Sequence, residues 1–192
     1  VSIACKNNKG VFFKEVEKLD LPIYFIDSTV SLRPYYNLLS RSSKFKKFVK
    51  ENEFDIVHSW HWSSDWTEII GARWGGAKFV FTKKAMTWGN KHWKIKSFLS
   101  NFIVTLNEEM KNYFPYKRNQ KLIPLGVDTN YFKPILNSNN SESDIFKIIT
   151  IANLVAVKNI EVLIEALYIL NNSKIKLDIV GDNSTEYSDL LK

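Results

Sequence analysis

Lys158 is the residue whose type and position offer the clearest chemistry. It closes the loop Val155–Lys158, between the apolar run Ile148–Leu154 and a helix-periodic stretch that opens at Asn159. A cation beside the unpaired N–H groups of a helix's amino end makes a phosphate site. The plainer reading of Lys158 is a solvated loop lysine. Lys83-Lys84 follows the run Lys78–Thr82, at what should be a strand's carboxyl end, where parallel α/β sheets bind their ligands. Lys84 there offers an ammonium to a phosphate or an acceptor; the alternative is an exposed basic loop residue.

Other reactive side chains are sparse. In His58-x-x-His61 the histidines stand three apart. On a strand such positions face opposite ways, so chelation is not expected, and the sequence offers no clear metal cluster. The six tryptophans fall between Trp60 and Trp93. Their faces suit stacking on sugars or packing in a core. The chain shows no G-x-S-x-G nucleophile elbow and no P-loop. Cys5 is the one cysteine; it excludes an internal disulfide framework and fits a reducing compartment.

The elements that must position Lys158 lie between Phe146 and Asp182. The run Ile148–Leu154 has the β-branched, weakly alternating character of a strand covered on both faces. Asn159 suits an N-cap, with Glu161 well placed in the first turn. Ile160, Leu163, Ile164, Leu167 and Tyr168 form one apolar helical stripe. Asn171–Ser173 ends the helix, and Ile175–Val180 forms a second strand left at Gly181-Asp182. A strand, helix and strand of this length predict parallel pairing.

The same alternation runs through the rest of the chain. Strands are expected at 1–5, 23–26, 55–58, 78–82, 102–106 and 122–125. Helices are expected at 10–19 (through Val11, Phe12, Val16 and Leu19), 38–49, 64–74, 91–99 and 107–113, the last capped by Asn107. This pattern predicts an α/β class with mainly parallel sheets. The polar run Asn137–Asp144 reads as a linker just before the strand–helix–strand unit.

Composition narrows the classes further. The 192 residues are 45% hydrophobic and 24% charged, as in an ordinary globular protein. No stretch approaches the ~20 apolar residues of a membrane span. The net charge of +7 is concentrated: residues 83–121 carry 9 basic and 2 acidic side chains. Such a segment favours an anionic substrate or an anionic membrane surface. Nucleic acid is not expected, for want of an RRM or helix-turn-helix signature.

Several motifs resemble those of GT-B glycosyltransferases, specifically the retaining family 4. Ile123-Pro124-Leu125-Gly126-Val127-Asp128, with Phe132 and Pro134, is similar to I-P-N-G-V-D-x-x-x-F-x-P. Phe54–Ser59 resembles the D-I-V-H-x-H strand, Gly71–Thr82 the L-A-R segment ending V-x-T, and Ser100–Asn107 the S-D-x-V-I-A-V-S strand. Ala152-Asn153-Leu154, Lys158-Asn159, Leu163–Ala166 and Val180-Gly181-Asp182 resemble G-R-L-x-x-x-K-G, L-I-E-A and V-G-x-G.

The resemblance implies two Rossmann-like domains with parallel sheets, both incomplete. The first, acceptor-side domain would span 1–130, and 131–192 would begin the nucleotide-sugar-binding domain. It implies donor diphosphate contacts at Lys158 and at Asn153, which stands where arginine is usual. Lys84 takes the place of a histidine near the reacting sugar and is the expected catalytic residue. Gly181 and Asp182 fall in the donor loop, where Asp182 is alternatively a turn former. The implied reaction is retaining transfer from a nucleotide-diphosphate sugar to a carbohydrate or lipid-linked acceptor, with no metal and no cofactor beyond the donor. It would serve cell-surface polysaccharide or glycan synthesis in the cytoplasm or on the inner membrane face. The family's Gly-rich loop and E-x7-E carboxylates are not among these residues, and the chain alone is expected to be inactive. The rivals are an epimerase of the same fold and a nonenzymatic basic α/β module.

Overall fold

The computed structural model describes residues 1–10, 12–134 and 144–191. The chain divides into two compact units, Val1–Asp128 and Thr129–Lys192. Val11 and the linker residues 137–143 lie outside the described residues.

Unit 1 opens with β1 (Ile3–Cys5), α1 (Phe13–Glu17) and β2 (Ile23–Phe25). β1 and β2 pair in parallel, Ala4 opposite Tyr24. The helix α2 (Leu38–Glu51) follows, then β3 (Ile56–Ser59), α3 (Thr67–Trp74), β4 (Lys78–Lys83), α4 (Lys91–Leu99), β5 (Phe102–Thr105), α5 (Glu108–Lys111) and β6 (Gln120–Leu122). The sheet order is β3-β4-β5-β6, all parallel.

Helix spacing explains the packing. Leu38, Ser42, Phe45 and Val49 recur every three or four residues and are buried, which leaves Lys44, Lys47 and Lys50 exposed, while Lys46 lies over the Trp74 ring. α3 lies close against this stripe. A Cβ on Gly75, at its carboxyl end, would sit 2.8 Å from the Val49 Cβ, so only glycine permits the approach. Phe79 and Phe81 of β4, Ile103 of β5 and Phe114 fill the core; each such side chain contributes about 2–3 kcal/mol through burial.

Unit 2 holds β7 (Phe146–Ile151), α6 (Ile160–Leu170), β8 (Ile175–Val180) and α7 (Glu186–Leu190). β7 and β8 pair in parallel with Ile148 opposite Leu177, as the strand–helix–strand pattern requires. A 3-10 turn, Ala156–Lys158, leads into α6.

The structure corrects several local expectations. β7 is not covered on both faces, for Ile149 and Ile151 are exposed. In α6 only Ile160 is buried; Leu163, Ile164 and Leu167 are half-buried, and Tyr168 does not join them, being 86% exposed. The first helix is confined to Phe13–Glu17, and the last strand of unit 1 is Gln120–Leu122 rather than 122–125. α3 starts at Thr67 because Asp65 Oδ1 accepts from Thr67 N at 2.6 Å and holds the preceding turn.

Candidate functional site

The carboxyl ends of β3 and β4 carry the densest chemistry of unit 1. Lys84 leaves β4 half-buried, and its Nζ lies 4.6 Å from the Trp62 ring centre and 5.7 Å from that of Trp60. Both tryptophans follow β3 directly and are exposed. Ammonium on an indole face is a cation–π contact that holds the lysine in place. Burial lowers the Lys84 pKa below its ordinary value. Among the described residues no carboxylate forms an ion pair with it.

The histidines of the His58-x-x-His61 pair have separate partners. His58 Nε2 is hydrogen-bonded to Thr82 Oγ1 at 2.8 Å, and its ring stands 5.5 Å from Trp60. Burial pushes its pKa down, which favours the neutral imidazole. His61 is paired instead with Ser63 through Nδ1 at 2.8 Å.

Under this surface lies a charged layer that the sequence reading missed. Lys96 Nζ donates to Glu68 Oε1 at 2.9 Å and to Ser63 O at 3.2 Å. Ser59 Oγ donates to the same Glu68 oxygen at 2.8 Å. Lys83 is fully buried and donates to the carbonyls of Ala85 and Thr87, with its Nζ 3.8 Å from the Trp93 ring centre. Burial, helped by the Lys96 charge, lowers its pKa to about 8. Lys83 thus ties down the loop that begins with Lys84. Strand alternation was the available signal. Lys83 shares its face of β4 with Phe79 and Phe81, both buried, so a period of two placed it inside.

The tryptophans divide by role. Trp93 is buried, Trp66 and Trp88 pack against the core, and Trp60, Trp62 and Trp74 are exposed.

In unit 2, Lys158 stands two residues ahead of α6, exposed, and among the described residues no hydrogen bond or ion pair holds its ammonium. The helix end beside it is not empty. Ile160 N donates to Tyr187 Oη at 3.0 Å, and the Tyr187 hydroxyl donates to Glu161 Oε2. Val162 N donates to Asn159 O at 3.3 Å. The Tyr187 hydrogen bond, with the Glu161 backbone N–H, keeps the Glu161 carboxyl below its usual pKa. Asn159 adopts the left-handed conformation, φ 51°, and makes no side-chain cap bond. The expected Asn159 cap and unpaired N–H groups are therefore replaced by a tyrosine brought in from α7.

Asn153 is exposed just past β7. The Asp182 carboxylate accepts from Ser184 Oγ at 2.6 Å and Ser184 N at 2.9 Å, which lowers its pKa. Gly181 sits where an added Cβ would collide with the Ala152 carbonyl oxygen and lie 2.8 Å from Leu154 Cγ.

The profile of Glycosyltransferase Family 4 matches residues 1–131. The chain belongs to glycosyltransferase family 4. Among solved structures it is similar to a glycosyltransferase from Rickettsia africae ESF-5, with TM-score 0.79 and 21% identity over 99% of this chain and 55% of that one. It is also similar to MurG of Acinetobacter baumannii, with TM-score 0.57 and 13% identity over 96% of this chain and 58% of that one. No curated protein is matched. The α/β fold with parallel sheets is that of the GT-B glycosyltransferases. This family 4 chain spans a little over half the length of the structures it matches.

Proposed function

We propose that the chain is part of a retaining glycosyltransferase that moves a sugar from a nucleotide-diphosphate donor to a carbohydrate or lipid-linked acceptor. The observation that carries the reading is the free ammonium of Lys158 at the entry to α6, in a chain whose first 131 residues match a glycosyltransferase family. A departing diphosphate gains negative charge as the glycosidic bond breaks. A cation at that position stabilises the developing charge more in the transition state than in the ground state.

In this reading unit 2 holds the donor through Lys158 and Asn153, the latter by neutral hydrogen bonds, with Gly181 and Asp182 shaping the loop after β8. Unit 1 holds the acceptor at the carboxyl ends of β3 and β4, where Lys84 faces the reacting group. In this reading the Lys158 ammonium takes the place of a metal at the donor's diphosphate. The excess of basic residues over 83–121 suits work on glycans in the cytoplasm or at the inner face of an anionic membrane.

The test is Lys158→Ala in the full-length protein. Nucleotide-sugar affinity and transfer should both fall by about tenfold or more, the worth of one charge-assisted phosphate contact. Unchanged affinity and transfer would remove Lys158 from the site.

A further inference from the structure

The cluster at the ends of β3 and β4 has a chemical character of its own. Trp60 is 49% and Trp62 65% exposed, so each keeps free aromatic surface. Between them they hold the Lys84 ammonium by its cation–π contacts. His58 backs Trp60, and the His58–Thr82 hydrogen bond fixes that imidazole. Lys83 anchors Ala85 and Thr87, the loop through which Lys84 leaves the strand. The cation is thus positioned before any ligand arrives, and no carboxylate of the described residues forms an ion pair with it. A preformed cation flanked by exposed indoles matches a ligand with a flat, weakly polar sugar face and a nearby negative charge. Two hollows elsewhere lack a pair of exposed indoles around one cation, although Lys46 lies over the single Trp74 ring at 3.7 Å. One is lined by Ile69, Ile70, Arg73, Trp74 and Leu99, and the other lies at the amino ends of β3 and β4.

We propose that Trp60, Trp62 and Lys84 form an acceptor subsite that selects a carbohydrate bearing an anionic group, carboxylate or phosphate, beside the ring that stacks on indole. Calling the ligand an acceptor rests on the glycosyl-transfer reading above. The preference for an anion rests on the cluster alone. Burial weakens the Lys84 ammonium, so an anion that pairs with it recovers stabilisation that a neutral sugar does not.

The test uses the protein without donor. Indole N–H signals of Trp60 and Trp62, assigned with Trp60→Phe and Trp62→Phe, are followed by NMR during four titrations. Trigalacturonate is compared with maltotriose, and glucose 6-phosphate with glucose. At least one anionic probe should bind about tenfold tighter than its neutral counterpart, as a charge-assisted contact predicts, and should shift both indole signals. Which pair shows the preference tells carboxylate from phosphate. Lys84→Arg should keep it and Lys84→Gln should abolish it. Equal binding within each pair, or a preference that survives Lys84→Gln, overturns the proposal. Because no donor is present, a failure here is separate from a failure of Lys158→Ala to weaken nucleotide-sugar binding.

Discussion

The Tyr187 hydroxyl caps the Ile160 N–H at 3.0 Å, at the first residue of α6, and ties down the Glu161 carboxylate beside it. Two residues separated by 27 positions thus seal the helix end that a diphosphate would use. A phosphate arriving at Lys158 meets a negative charge in the first turn and a donor already engaged. Glu161→Gln should therefore raise pyrophosphate affinity by about two- to fivefold, the effect of one screened charge at a helix end. Isothermal titration of the wild type and the variant reads this directly. A fall in affinity would mean that Glu161 orients the ligand instead of opposing it.

Glu68 and Lys96 form an ion pair with side chains 5% and 0% exposed. Attraction between them offsets the cost of removing both charges from water only while both remain. Lys96→Met alone should cost about 3–5 kcal/mol, because it strands the Glu68 charge. The double variant Glu68→Leu/Lys96→Met should regain most of that loss. Urea unfolding of the three variants measures the coupling. A single-variant loss below about 1 kcal/mol would show that water reaches the pair.

Lys83 predicts a pH dependence. Its pKa is about 8 in the folded chain, against about 10.4 when unfolded. The folded state therefore binds fewer protons between these values, and stability rises with pH there. The penalty of charging Lys83 is full below about pH 8 and is relieved as pH climbs toward 10.4. Relative to Lys83→Met, the wild type should gain stability over this window, with a slope below the one-proton limit of about 1.4 kcal/mol per pH unit. A flat difference between the two proteins would place the Lys83 pKa near its ordinary value.

The alternation of elements was legible in the sequence because it depends on periodicity. Ile148 and Leu177 do pair across a parallel ladder, and Phe45 and Val49 do face inward. The two asparagines show where local reasoning stops. Asn107 and Asn159 precede helices with similar signals. Asn107 is extended and accepts from Met110 N at 2.9 Å. Asn159 must turn the chain out of the 3-10 turn Ala156–Lys158, and the left-handed φ that achieves this takes its side chain out of the capping role. Tyr187 substitutes from 27 residues beyond Ile160, a distance no local pattern spans. Lys83 and Lys96 were missed for a different reason. Both occupy positions on buried faces, beside Phe81 and Trp93, but the cost of burying charge hides them until Glu68, Ala85 and Thr87 are seen as partners.

Gly181 permits a test that separates packing from donor contact. It follows β8, and the backbone there passes so close to Ala152 that a Cβ would collide with its carbonyl oxygen and press on Leu154. Leu154 is buried, and its own carbonyl accepts from Thr185 Oγ1 at 3.0 Å, so the segment has little room to give. Gly181→Ala should cost about 1–3 kcal/mol, as overpacking does in a filled interior. Because the strain falls at the exits of β7 and β8, amide hydrogen exchange should quicken in both strands while β3–β6 of unit 1 keep their protection. Loss of nucleotide-sugar affinity with unchanged exchange would assign Gly181 to the ligand instead of to the packing of unit 2.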